Sequence, residues 1–390
     1  MLAATVRVTR DLDAAEEAVQ DAYVQALRTW EASGVPARPG AWLTTVARRL
    51  ALNVMRRHRT LESKLPLLVE PEAEDPPEPG EERPIPDDRL RLVFTCCHPA
   101  LAQEAQVALT LRLVCGVPTV DVAHAFLVSE PTMAARITRA KKKIAAARIP
   151  YAVPGAADLP ERLEGALTVV HLLYATGHTA PSGQDLVRHE LTGRALDLAR
   201  MLHALLPGER ETAGLLALLL VHHARRATRT DAEGRIVRLA DQDRAAWERA
   251  PIAEADRLIV TALESGPPGR FTLQAAIAAL HAQAPSYAET DWPQIVTLYD
   301  LLLRAWPSPV VALNRAVAVA MVDGPAAALA EVEALERDGR LRGYRYLPAT
   351  KAELLRRLGR DAEAADAYRE ALELTGNAAE RAFLAERLDD

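Results

Sequence analysis

Apolar residues recur at three- and four-residue spacings along most of the 390-residue chain, and few stretches show the two-residue alternation of a strand. The pattern predicts an all-α fold. Its most informative stretch is AFLVSEPTMAARITRAKKKI, residues 125–144. Ser129 is a good N-cap, Glu130 suits the positive end of a helix and Pro131 is tolerated only in a first turn, so a helix starts here. At about 100° per residue, Met133, Ile137, Ala140 and Ile144 line one face, and Thr132, Arg136, Arg139 and Lys143 line another about a quarter turn away. The first stripe suits a small core; the second faces either plain solvent or something polyanionic. Upstream, VALTLRLVCGVPTVDVAHAFLV predicts an apolar helix, a break at Gly116-Val117-Pro118, and a short helix begun by Thr119 that carries Val122, Ala123 and Phe126. Two short helices joined by the turn Leu127-Val128-Ser129, the second of them basic, make a helix-turn-helix pattern whose second helix enters the major groove.

A second pair of helices is expected nearer the front. DAAEEAVQDAYVQALRTW, residues 13–30, places Val19, Tyr23, Ala26, Leu27 and Trp30 inward and gathers Glu17, Gln20 and Asp21 on the outward face. After the Gly/Pro loop EASGVPARPG, the run AWLTTVARRLALNVMRRHRT spaces Leu43, Val46, Ala47, Leu50 and Val54 for burial. Arg49, Asn53 and Arg56 share another face of that helix, flanked by Arg48, Arg57 and Arg59. Arginine and asparagine are side chains that read base edges and hold phosphates.

The overall formal charge of −6 hides a strong asymmetry. Residues 1–65 carry ten basic and seven acidic side chains, and residues 91–150 carry eight and three. Between them, residues 66–88 hold nine carboxylates, one arginine and seven prolines, a composition that builds no core and reads as an extended linker of at most roughly 70 Å. The expected organisation is therefore a basic helical module at 1–65, an acidic Pro-rich linker at 66–88, the helix-turn-helix module at 89–150, and a helical domain at 151–390.

That last domain, net about −7, carries YLPATKAELLRRLGRDAEAADAYREALELTGN, which follows the tetratricopeptide pattern: Ala352 and Leu355, Gly359 at the turn, then Ala364, Tyr368 and Ala371. A weaker copy about 36 residues earlier puts Ala316, Val319, Ala328 and Val332 in matching places. Such repeats stack into surfaces suited to a peptide or protein ligand, or merely complete the fold as a cap. His171 and His178 share a helix face only if the helix continues through Gly177, which is not expected, and His222 and His223 point in different directions. No nucleophile, acid and base set, phosphate loop or CxxC pair stands out, so no enzyme, cofactor or metal is expected. Cys96, Cys97 and Cys115 fit no disulfide framework and suit a reducing cytoplasm, with burial in helices expected for Cys96 and Cys97. The longest oily run, LLALLLV, is too short to span a bilayer, and no signal peptide is apparent, so a cytoplasmic protein without membrane contact is expected.

AEEAVQDAYVQALRTW followed by PGAWLTTVARRLALNVMRRHR resembles region 2 of the extracytoplasmic-function sigma factors of bacterial RNA polymerase, and residues 107–144 resemble their region 4. DDRLRLVFTCCHPAL, with the long helical extension, is similar to the subgroup carrying tetratricopeptide-like repeats after region 4. The resemblance implies a promoter-specificity factor that binds core RNA polymerase through the β′ clamp helices and the β flap. Glu17, Gln20 and Asp21 would dock on the clamp helices. Trp42, Arg48, Arg49, Asn53, Arg56, Arg57 and Arg59 would frame the −10 element, with the Gly/Pro loop shaping a pocket for a flipped base. Ser129, Glu130, Thr132, Met133 and Arg136 would read the −35 element, with Arg139, Lys141, Lys142 and Lys143 on phosphates. The linker would thread the RNA exit path. Only MLAATVRVTR precedes RDLDAAEE, so either a shortened first helix or a misassigned start is expected. A one-component regulator with one helix-turn-helix and a helical sensor is the alternative, although it leaves the front helices and the tether without a purpose.

Overall fold

Helix accounts for 73% of the described residues, and among them the only paired strands are two dipeptides, so the all-α expectation holds. The computed structural model describes residues 1–64, 88–126, 128–155 and 157–389, with the side chains of 56–64, 124, 125 and 389 set aside. The expected acidic linker, apart from Asp88, and turn residue Leu127 lie outside the described residues. Two compact units, residues 1–169 and 170–390, divide the chain inside one helix.

In the first unit, α1 (Leu2–Thr9) is a short helix closed by Arg10 in the left-handed conformation. Asp11 then caps α2 (Leu12–Ser33), its carboxylate accepting from the Ala14 amide at 2.8 Å. The partner helix α3 runs from Pro39 to Lys64. Small residues make the α2–α3 seam: Ala22 and Ala26 meet Leu43, Val46 and Ala47, with Trp30 and Trp42 packed at 5.4 Å along its edge. This corrects the expected inward face of α2. Tyr23 is 51% and Leu27 74% exposed, because a close helix approach selects the alanine stripe and turns the large residues outward. On α3, Val54 is likewise exposed.

Helix α4 (Asp88–Cys96) leads into α5 (Gln103–Leu109), which widens into a π-helical turn at Thr110–Val114 before Gly116 reverses the chain at φ 69°. Then come α6 (Thr119–Ala125) and α7 (Glu130–Ala146). Ser129 caps α7 and Pro131 sits in its first turn. Met133, Ile137, Ala140 and Ile144 are all buried, as the sequence periodicity requires. Cys96, Cys97 and Cys115 are buried too, and burial pushes the Cys97 thiol up to about 12.

Helix α8 (Leu159–His178) contains the division between the units. In its first half, Arg162 donates to the Phe94 carbonyl at 3.0 Å. The second unit continues through α9 (His189–Leu205), α10 (Arg210–Ala224), α11 (Arg249–Glu264), α12 (Arg270–Gln283) and α13 (Trp292–Ala305). It ends in two helix pairs and a final helix: α14 (Pro309–Val322) with α15 (Pro325–Asp338), α16 (Tyr346–Arg357) with α17 (Asp361–Glu373), and α18 (Ala378–Asp389). Ala316, Val319, Ala328, Val332, Ala352, Leu355, Ala364, Tyr368 and Ala371 share one buried cluster. Gly359 makes the turn between α16 and α17 at φ 71°.

Contrary to expectation, α8 does continue through Gly177. A Cβ there would lie 2.8 Å from Leu191 Cβ and 2.9 Å from the Thr192 amide nitrogen, so the glycine lets α9 approach. His171 and His178 are thereby on one helix, and His178 lies 5.2 Å from His222, ring centre to ring centre. Strand β1 (Ser182–Gly183) pairs in parallel with β2 (Gly376–Asn377). Asn377, fully buried, donates to the Asp185 carbonyl at 3.0 Å and accepts from the Ala379 and Glu380 amides, which caps α18 while holding the loop after α8.

Candidate nucleic-acid interface

On α2, Glu17, Gln20 and Asp21 are exposed, and Tyr23, Val24 and Leu27 extend the same surface. The result is an acidic patch beside an apolar one. Helical periodicity alone places Tyr23 and Leu27 in the core, so the oily half of this surface emerges only from the packing of α2. On α3, Arg48, Arg49 and Asn53 are exposed, whereas Trp42 is half-buried against Trp30. The side chains of Arg56, Arg57 and Arg59 lie outside the described residues, although the helix itself extends past them.

At the start of α7, Ser129, Glu130 and Thr132 are exposed. The Ser129 and Thr132 hydroxyls are 2.8 Å apart, and Ser129 Oγ accepts from the Thr132 amide at 3.4 Å. Met133 is 0% exposed, so its side chain holds the helix in place and offers nothing to a base edge. Arg136 stands over the Phe126 ring at 5.7 Å and pairs with Glu104 at 2.9 Å. Arg139, Lys142 and Lys143 are exposed.

Lys141 points the other way. Its ammonium lies 2.9 Å from Asp13 Oδ1 and also pairs with Glu16, whose carboxylate is 3.6 Å from Arg112. Burial works against the ammonium, but hydrogen bonds and the charges of Glu16 and Asp13 outweigh it and raise its pKa above the ordinary lysine value. The α7 helix is thus tied to α2 inside the first unit. Arg7 lies 3.6 Å from Asp88, and the Tyr151 hydroxyl lies 2.7 Å from both the Ala3 and Asp88 carbonyls. The lysine run did not reveal which of its three members turns inward. The i, i+3 pair Asp13 and Glu16 was the available signal, since two carboxylates on one helix face favour a cation between them.

Among the described residues, no group of three or more His, Cys, Asp or Glu side chains could hold a metal ion, and no helix is long and apolar enough to cross a membrane.

Comparison with known proteins adds a family to this geometry. Over 396 aligned residues the chain is 45% identical to an uncharacterized protein of Rhizobium meliloti (strain 1021), covering 100% of this chain and 92% of that protein. The chain belongs to that protein's family. Residues 2–60 match sigma-70 region 2, and residues 162–263 match a family of unknown function (DUF6596). No solved structure matches. The region 2 match spans α1, α2 and nearly all of α3, and supports a sigma-70 family factor with a role in transcription initiation, a role that involves core RNA polymerase and promoter DNA.

Proposed function

We propose that this protein is a dissociable promoter-specificity factor of the extracytoplasmic-function type, acting in the cytoplasm and leaving all chemistry to the polymerase. The observation that carries the reading is the sigma-70 region 2 match over residues 2–60, in the same compact unit as the capped, basic helix α7. In this reading residues 1–65 are region 2, residues 66–88 the acidic linker, residues 89–150 a helix-turn-helix region 4, and residues 151–390 a tetratricopeptide-like domain that regulates or completes the factor.

The mixed acidic and apolar face of α2, with Glu17, Gln20 and Asp21, docks on the β′ clamp helices, and region 4 meets the β flap. Arg48, Arg49 and Asn53, joined by Arg56, Arg57 and Arg59, frame the melted −10 strand, where unstacked bases are held in pockets inside a basic frame. Ser129, Glu130, Thr132 and Arg136 face the −35 major groove, and Arg139, Lys142 and Lys143 hold phosphates. For Arg136 to reach a base it must leave Glu104, and Lys141 joins the phosphate contacts only when its pairs with Asp13 and Glu16 open.

The test is run-off transcription with bacterial core polymerase on a library of candidate promoters. The expected result is initiation that depends on the protein and falls in both Arg136→Ala and Arg49→Ala/Arg56→Ala. Tight duplex binding without polymerase, and no initiation, would replace this reading with that of a one-component regulator.

A further inference from the structure

The second unit holds a half-open pocket of 320 Å³ for which the promoter reading has no use. Its walls come from segments far apart in sequence: Thr179 follows α8, Arg229 and Arg238 flank the Thr230–Ile236 bridge, Tyr346 starts α16, and Phe383 and Leu384 belong to α18. The β1–β2 pairing and the Asn377 bonds hold two of these segments together, so the pocket is built by the fold. Its size falls at the small end of the range for organic ligands, about 300–1,000 Å³.

The lining is mostly hydrocarbon, from Ile236, Phe383 and Leu384 among others. Of its charged groups, Glu380 is already engaged, accepting from the Tyr346 hydroxyl at 2.6 Å and lying 2.9 Å from Arg345 Nε. Arg229 is different. Its guanidinium donates to the His178 carbonyl and to Thr179 Oγ1 at 3.1 Å, both neutral acceptors, and it makes no ion pair with a described residue. Outside the pocket lining, Arg225 meets the His222 ring, 3.3 Å away, and the face of Trp247, while its buried Nε has no hydrogen-bond partner. Burial holds both guanidiniums below the ordinary arginine value, Arg225 at about 10. The charge of Glu380 offsets the burial of Arg229 only in part; cationic charge buried with so little compensation is costly, and an anion beside Arg229 relieves that cost.

We propose that this pocket binds a small organic monocarboxylate with an apolar body, its carboxylate on Arg229 with Arg238 beside it, and its hydrocarbon against Ile236, Phe383 and Leu384. Arg345 and Arg238 line the same pocket but are already paired with Glu380 and Asp241, so Arg229 is left to hold one negative charge against a mostly hydrocarbon wall, which suits a monocarboxylate with an apolar body better than a fully polar phosphate dianion. Arg238, whose side chain is 43% exposed and paired with Asp241 at 2.7 Å, also lines a larger neighbouring cavity of 630 Å³, as do Phe383 and Leu384.

The experiment is titration calorimetry and thermal melting of the full-length protein with 4-phenylbutyrate and octanoate, each matched by its neutral amide, and with inorganic phosphate. At least one carboxylate is expected to bind and raise the melting temperature, with the amide and phosphate at least about tenfold weaker. Arg229→Gln should abolish binding. Arg238→Ala, at a half-exposed side chain and so expected to melt close to the parent, should weaken it several-fold, so the proposal stays testable even if Arg229→Gln melts early. No binding below about 10 mM, equal binding of acid and amide, phosphate binding as tightly as the acids, or an Arg238→Ala variant indistinguishable from the parent would overturn the assignment. None of these readouts depends on transcription, so the pocket and the promoter reading fail separately.

Discussion

Two helical glycines of the second unit differ in what surrounds them, and only one of them sets how closely two helices approach. A Cβ at Gly214 in α10 would sit 2.5 Å from both the Thr272 amide nitrogen and its hydroxyl, where Glu211 caps α12 by accepting from the Phe271 amide at 2.7 Å and the Thr272 hydroxyl at 2.6 Å. Gly214→Ala is therefore expected to cost about 1–3 kcal/mol by overpacking backbone that cannot retreat. Gly193, inside α9, has nothing within 4 Å of the same position. There Gly193→Ala should stabilise by about 0.5–1 kcal/mol through helix propensity alone. Urea denaturation of the two variants checks the opposite signs, and two shifts in the same direction would show that close packing at Gly214 is not what selects the residue.

At the scale of the element, α2 separates what was legible in the sequence from what was not. Its cap at Asp11 and the outward set Glu17, Gln20 and Asp21 follow from residue type and spacing. Which apolar stripe turns inward does not, because α2 carries two, and the choice is made by how near α3 comes. The same holds for α7. Its buried stripe and its Ser129 cap were readable, but Lys141 separates from Lys142 and Lys143 only once α2 supplies Asp13 and Glu16. Propensity makes Gly177 a helix stop, yet the close approach of α9 overrides propensity. Leu27, left 74% exposed, now becomes informative. Leu27→Ser is expected to leave stability within about 0.5 kcal/mol of the parent and to weaken core polymerase binding about tenfold, measured by fluorescence titration. A stability loss with unchanged binding would return Leu27 to the core.

At the scale of the whole molecule, the second unit carries neutral histidines in quantity. Burial pushes His171 and His281 each down to about 4, and burial with the charges of Arg229 and Arg225 holds His178 and His222 well below the ordinary value of 6.5. Between about pH 4 and 6.5 the unfolded chain binds protons that the native state refuses. Their contribution to stability is thus complete above about pH 6.5 and falls as the pH drops toward 4, by about 3 kcal/mol each, or about 6 kcal/mol for His171 and His281 together. Chemical denaturation of the second unit from pH 7.5 to 4.5 should show that slope, and a flat profile would mean that the rings are hydrated. A different consequence follows from Asn377. Its side chain is bonded to a loop 192 positions earlier in the chain and to the first turn of the last helix. A premature stop codon just ahead of it would remove only the final fourteen residues. Such a protein would nevertheless have lost the latch for a segment made long before, and the lesion would be felt at Asp185 rather than at the tail.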